Sequence, residues 1–279
     1  MPAYRIDALD TARGLAMVWM TVFHFCFDLN NAGLITQDFH HDPFWTWQRT
    51  AILSLFLLCA GAGQAVAQGA VLGPAQSWRQ FGWRLAQIAA AAALVSLGSW
   101  FMFPDSFIYF GVLHGMAVML LLLRLVAPWV QMNARPGWGC AALGLLVIAT
   151  HLIAGSAIAT GANSVFGIDL DSRSLNWLGL ITRLPVTEDF APIFPWWGVM
   201  LLGCGGMQRW LAASQRQPKV APPQRQTVAA PLAVGGAWLR GALARLGRHS
   251  LVYYLLHQPV MLGLLWLAGA SGWLGGFAG

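Results

Sequence analysis

Seven runs of about twenty mostly apolar residues recur along this chain, at about 11–29, 44–67, 80–102, 107–129, 138–158, 192–212 and 248–268. At about 1.5 Å of rise per residue, each reaches across a hydrocarbon core about 30 Å thick. Lipid offers the backbone no water, so a segment of this kind must satisfy its own amides as a helix. The expected fold is therefore all-α, a polytopic membrane helix bundle of about seven spans. With 57% hydrophobic and 9% charged residues, a soluble domain is excluded.

Charge sets the orientation of those spans. Arg79, Arg84, Arg124, Arg135, Arg209, Arg216, Lys219 and Arg225 fall in connections on one side, and Asp28, Asp38, Asp42, Asp105, Asp169, Asp171, Glu188 and Asp189 on the other. The positive-inside rule puts the first side, and the N-terminus with it, in the cytoplasm. Topology thus accounts for the formal net charge of +6, and no basic stripe of the kind that binds nucleic acid is present. The first run follows Asp7, Asp10 and Arg13 without a small-residue cleavage site, so it is expected to be retained as a span. Cys26, Cys59, Cys140 and Cys204 lie in apolar runs without CxxC spacing and read as packing residues, neither a disulfide framework nor a zinc site.

Three stretches follow. Residues 1–213 form a transmembrane module of six spans. Residues 214–232 are polar and proline-rich and read as a flexible cytoplasmic linker. Residues 233–279 add a basic amphipathic stretch, Trp238–Arg248, expected along the inner interface, and the final span, as part of the same bundle. Between the fifth and sixth spans, residues 159–191 mix polar and short apolar pieces, as an outer cap or re-entrant segment would.

Ionisable side chains inside apolar runs are costly and point to function by default. Arg13 and His24 share the first run, roughly 16 Å apart along a helix, and so lie in opposite leaflets. Asp28 follows His24 at i+4. It is either a carboxylate that holds the imidazole tautomer and raises its basicity, or a solvated helix end. Arg13, three residues after Asp10, is either half of a structural ion pair or an anchor for an anionic donor such as a phosphorylated cofactor. Arg49, beside Trp45, Trp47 and Gln48, either faces a polar interior or snorkels outward.

Of the seven histidines, His24, His114, His151 and His257 fall within runs. The first three come roughly 10 Å from the outer edge of the hydrocarbon, at one level, where an imidazole can accept or relay a proton. His151, with little polar company, reads best as a ring hydrogen-bonded to a neighbouring helix. His257 and Gln258 precede Pro259, which frees a carbonyl one turn earlier, so they either fill that polar deficit or touch a substrate. His40 and His41 stand between Asp38 and Asp42 in the first outer connection. Their order matches no specific zinc pattern, so no metal is expected and proton transfer is the better reading. The fifteen tryptophans are mostly expected as an interfacial belt, while Pro195-Trp196-Trp197 is also placed to stack on a sugar ring.

The segments Asp7-Ala-Leu-Asp10-Thr-Ala-Arg13-Gly14, Phe23-His24-Phe25, Gly111-Val-Leu-His114, Phe194-Pro195-Trp196-Trp197-Gly198 and Leu246-Gly247-Arg248-His249-Ser250 through His257-Gln258-Pro259 resemble the bacterial branch of the heparan-alpha-glucosaminide N-acetyltransferase-like membrane proteins. The Arg13 and His24 pair is also similar to the first-helix motif of acyltransferase family three. The resemblance implies a transmembrane acyltransferase of the bacterial inner membrane that moves an acetyl group from cytosolic acetyl-CoA to an amine or hydroxyl of a glucosamine-like sugar on the far side, with a histidine as general base. It places the catalytic histidine of the lysosomal enzyme at His40, and a functionally important asparagine of that enzyme at His24. Either histidine is then a candidate base, with Asp28 beside His24. Arg13, Arg49, His114 and His257 are the candidate contacts to acetyl-CoA. The partners implied are a sugar or glycan acceptor, acetyl-CoA and membrane lipids, with no nucleic acid and with a homo-oligomer left open.

Two other readings compete. Histidines spread over four spans suit a haem-binding membrane electron carrier, although no two of them share a helix. A polar interior suits a transporter or flippase of a lipid-linked sugar, although no internal repeat supports one.

Overall fold

The computed structural model describes residues 6–69, 75–130, 136–159, 164–165, 168–216 and 231–271. They form helices α1 (Asp7–Asn31), α2 (Pro43–Gln68), α3 (Trp78–Met102), α4 (Val112–Val130), α5 (Trp138–Ala159), α6 (Trp196–Arg216), α7 (Pro231–Arg248) and α8 (Ser250–Ala270). A two-residue antiparallel pair, Ser164–Val165 with Ile168–Asp169, and a 3-10 turn at Asn176–Leu178 lie between α5 and α6. The protein is all-α, as its apolar runs require.

Each expected run carries one helix. Among the described residues α2, α3, α4, α8 and the Trp138–Gly155 part of α5 are long and apolar enough to cross a membrane. Arg13, His24 and Asp28 dilute the hydropathy of α1, and Gln208 and Arg209 that of α6. Two helices start later than their runs. The α4 run opens at 107, but the helix begins at Val112, whose amide donates to Asp189 Oδ2 at 2.7 Å, and Phe110 is held in a bridge to Phe190. The α6 run opens at 192, but the amides of Ile193 and Phe194 donate to the carbonyls of Trp177 and Leu178. At Val112 the tertiary bond takes an amide that a longer helix would have used, and at Ile193 and Phe194 the bonds hold first-turn amides outside the helix.

The chain divides into two compact units. One runs from Leu57 to Gln226, and the other joins Arg5–Phe56 to Thr227–Gly279. The first helix thus falls in one unit with the last two, which follow the expected 214–232 linker in sequence. Most of that linker lies outside the described residues.

In the first unit α5 packs on α6 and α3 on α4. Cys140 and Cys204 are buried with their sulfurs 3.7 Å apart, and all four cysteines are free. In the second unit the core is Ala16, Met17, Met20 and Phe23 of α1 against Phe39, Trp45, Ile52 and Phe56, with Tyr253 and Tyr254 of α8 packed on its edge. Along α1 the buried positions Asp10, Gly14, Met17 and Asp28 share one face with Thr21 and His24, at steps of three and four. The N-terminal half of that face meets α7. There the backbones nearly touch: a Cβ on Gly14 would stand 2.0 Å from the Leu243 carbonyl oxygen, and one on Gly247 1.9 Å from that of Asp10. The amphipathic stretch expected at the interface is therefore the second half of an 18-residue helix seated directly on α1.

Candidate functional site

Two polar clusters occupy the α1 face, one at each end. At the N-terminal end Arg13 Nη1 donates to Asp10 Oδ1 at 3.1 Å, and Arg248 donates to Asp10 Oδ2 at 3.4 Å and to Asp7 Oδ1 at 2.9 Å. Asp10 is buried, so the two guanidinium groups neutralise a carboxylate that would be costly alone. Arg13 thus forms the ion pair that its spacing from Asp10 allows. Arg248, at the junction of α7 and α8, is a partner that only the fold reveals.

The second cluster lies around His24 and Asp28, against α8. Asp28 is buried and accepts a hydrogen bond from Gln258 Nε2 at 2.8 Å. Its described partner is therefore the amide of Gln258, and not the His24 ring that its i+4 position suggests. His257 is the one buried residue of α8. Its Nδ1 stands 2.7 Å from the carbonyl oxygen of Tyr254, so Nδ1 carries the proton and Nε2 is left as the acceptor. The His257 ring is 5.4 Å from the ring of His24, 5.6 Å from that of Tyr254, and lies flat against Tyr253 at 6.0 Å and 9°. Tyr253 is itself held: Thr21 donates its hydroxyl proton to the Met17 carbonyl, so the Tyr253 hydroxyl donates to Thr21 Oγ at 2.7 Å. Sequence reasoning did not single out Thr21 or Tyr253. Their signal was spacing, since Tyr253 precedes His257 by one helical turn and Thr21 precedes His24 by three residues.

Three side-chain atoms of this cluster, Asp28 Oδ2, His257 Nε2 and Gln258 Oε1, are buried without a hydrogen-bond partner among the described residues. Buried polar atoms are nearly always paired, so these three leave hydrogen-bonding capacity that the described side chains of the cluster do not use.

The first connection bends back onto this end of α1. Phe39 is buried, stacked on Trp45 at 4.0 Å and set edge-on to Phe23 and Phe27. That anchor fixes its neighbour His40, which is exposed, with its ring 6.4 Å from Phe27. Asp38 Oδ1 accepts the backbone amides of His40 and His41 at 3.0 and 2.9 Å, and the His41 amide above all holds the Asp38 carboxyl below its ordinary range. On α2, Gln48 turns inward to accept the Trp19 indole N–H at 2.7 Å, while Arg49 is exposed.

His114 belongs to the other unit and is fully engaged there. Gly111 N–H donates to its Nδ1 at 3.3 Å, and its Nε2 donates to Ser96 Oγ at 3.1 Å, whose own proton goes to the Ile108 carbonyl. His151 Nδ1, on α5, is buried without a hydrogen-bond partner among the described residues. The structure therefore gathers His24, Asp28 and His257 in one cluster with Gln258, sets His40 on the connection above α1, Arg13 at its other end and Arg49 on the face of α2, and keeps His114 in a separate unit.

The sequence model of heparan-alpha-glucosaminide N-acetyltransferase, catalytic, matches residues 5–259. The chain belongs to that family. The match takes in both polar clusters of α1 and ends one residue beyond Gln258, so membership in the N-acetyltransferase family covers the whole candidate site. No curated protein and no solved structure matches the chain. The likeness to acyltransferase family three rests on Arg13 and His24 alone, whereas the heparan-alpha-glucosaminide N-acetyltransferase match spans the helices of both units. Its function is accordingly that of a membrane acetyltransferase.

Proposed function

We propose that this protein takes an acetyl group from acetyl-CoA and delivers it to an amine or hydroxyl of a glucosamine-like sugar, at the polar cluster of His24, Asp28, His257 and Gln258. The observation that carries this reading is the set of three buried polar atoms on Asp28, His257 and Gln258 that have no partner among the described residues, with the His24 ring beside that of His257, in a family that transfers acetyl groups. Acetyl-CoA enters from the Arg13 end of α1, and its thioester reaches the level of His24. The sugar approaches from the His40 connection. Asp28 and Gln258 supply one free acceptor oxygen each, which suits the hydroxyl and amine donors of a sugar. A histidine of the cluster withdraws the acceptor proton as the nucleophile attacks the thioester carbonyl. The setting is the bacterial inner membrane, with the N-terminus cytoplasmic.

Purified protein incubated with acetyl-CoA and glucosamine, followed by mass spectrometry of the sugar and by free-thiol release, tests the reading. N- or O-acetylglucosamine forming in step with CoA is the expected result. A Soret band in the pure protein, or sugar movement across vesicles without CoA release, would contradict it in favour of an electron carrier or a flippase.

A further inference from the structure

We infer that His257 Nε2 is the general base of the transfer and that Tyr253 is the residue that positions its ring; this rests on the acetyltransferase reading above. A base needs a defined lone pair, a fixed direction and no competing partner. His257 has all three. The Tyr254 carbonyl takes the Nδ1 proton, which forces the lone pair onto Nε2, and Nε2 is buried with no partner among the described residues. The ring is clamped by the stacked face of Tyr253, whose hydroxyl is tied to Thr21 on α1.

Three other histidines, His114, His40 and His24, lack one or more of these properties. Both nitrogens of His114 are spent on Gly111 and Ser96. His40 is exposed, and only its backbone amide is tied down, by Asp38. His24 faces His257 at 5.4 Å, but among the described residues no hydrogen bond fixes its tautomer. Its place beside the His257 ring suits a group that orients the acceptor or the thioester.

In the reaction, Nε2 takes the proton from the acceptor N–H or O–H as the freed lone pair bonds to the acetyl carbonyl carbon. The carbon–sulfur bond then breaks with its electron pair on sulfur. The imidazolium returns its proton to the CoA thiolate, so acetyl-CoA and acceptor become acetylated acceptor and CoA, with His257 restored. No oxidant or further reactant enters.

His257→Asn tests this directly, because the shorter amide retains a donor for the Tyr254 carbonyl and removes the Nε2 position with the outer part of the ring. The expected result is a kcat lower by about 10²–10⁴-fold in folded protein, with KM for acetyl-CoA at the wild-type value. Tyr253→Phe keeps the stacked ring and loses only the hydroxyl bond to Thr21. Its kcat is expected to fall by up to about tenfold with KM unchanged, as one hydrogen bond's worth of positioning implies. This second variant decides the matter if His257→Asn does not fold. Wild-type kcat in both variants would overturn the inference while the acetyltransferase reading stood. Failure of the wild-type protein to consume acetyl-CoA would instead overturn that reading.

Discussion

The imidazole rings of His24 on α1 and His257 on α8 stand 5.4 Å apart, inside the unit formed by the two ends of the chain. Some 230 residues separate them in sequence. What brings them together is the seating of α7 on the lower half of α1, which leaves the upper half of the same face to α8.

That seating depends on two glycines, and its first prediction is steric. Gly14→Ala places a methyl group 2.0 Å from the Leu243 carbonyl oxygen and should destabilise the protein by about 1–3 kcal/mol or more. Gly241→Ala, on α7 with open space around it, should be neutral or stabilising by up to about 1 kcal/mol. Thermal unfolding of the two variants in one detergent checks both. A Gly14→Ala protein as stable as the wild type would show that α1 and α7 do not meet there.

Asp28 is buried with one side-chain hydrogen-bond donor among the described residues, Gln258. Gln258→Leu leaves the carboxyl without that donor at nearly unchanged volume, and should cost about 1–3 kcal/mol in denaturant unfolding. Gln258→Glu should cost at least as much, since it sets a second carboxyl against the first. If Gln258→Leu unfolds at the wild-type denaturant concentration, the pair has no structural weight.

Arg248 ties the α7–α8 junction to Asp7 and to buried Asp10. Arg248→Met should lower stability by about 1–3 kcal/mol, because it removes two charge-assisted bonds while Arg13 still partners Asp10. The measurement is again unfolding, at low and high salt. The loss should persist at high salt on the Asp10 side, where burial limits screening.

The first connection carries a pH dependence of known sign. The Asp38 carboxyl lies below its ordinary value because it accepts the His41 and His40 amides. A depressed carboxyl favours the ordered loop above its unfolded pKa, and loses that contribution as pH falls through the folded one. Hydrogen exchange at the His40 and His41 amides should therefore show protection near neutral pH that vanishes in acid below the ordinary aspartate range. Asp38→Ala should remove the protection at every pH, and unaltered protection in that variant would contradict the assignment.

The apolar runs placed the helices to within a few residues, because length and hydropathy are local properties of a lipid-facing segment. The starts of α4 and α6 were displaced by partners far along the chain, Asp189 for Val112 and Trp177 for Ile193, which no local pattern exposes. The same divide runs through the site. His24 and Asp28 were legible as ionisable residues in an apolar run, and Arg13 as a neighbour of Asp10. The role of His257 was not, since it depends on a carbonyl bond that sets the tautomer and on packing that buries the opposite nitrogen. Gln258 as the partner of Asp28 required the chain's two ends to meet.

The central claim is that His24 and His257 act as one unit in acetyl transfer, and a double-mutant cycle on kcat tests it most directly. Groups that serve one step together lose activity non-additively. His24→Ala and His257→Asn combined should be no slower than about the slower single variant. A double variant whose loss equals the product of the two single losses, or singles that both turn over acetyl-CoA at the wild-type rate, would contradict the account.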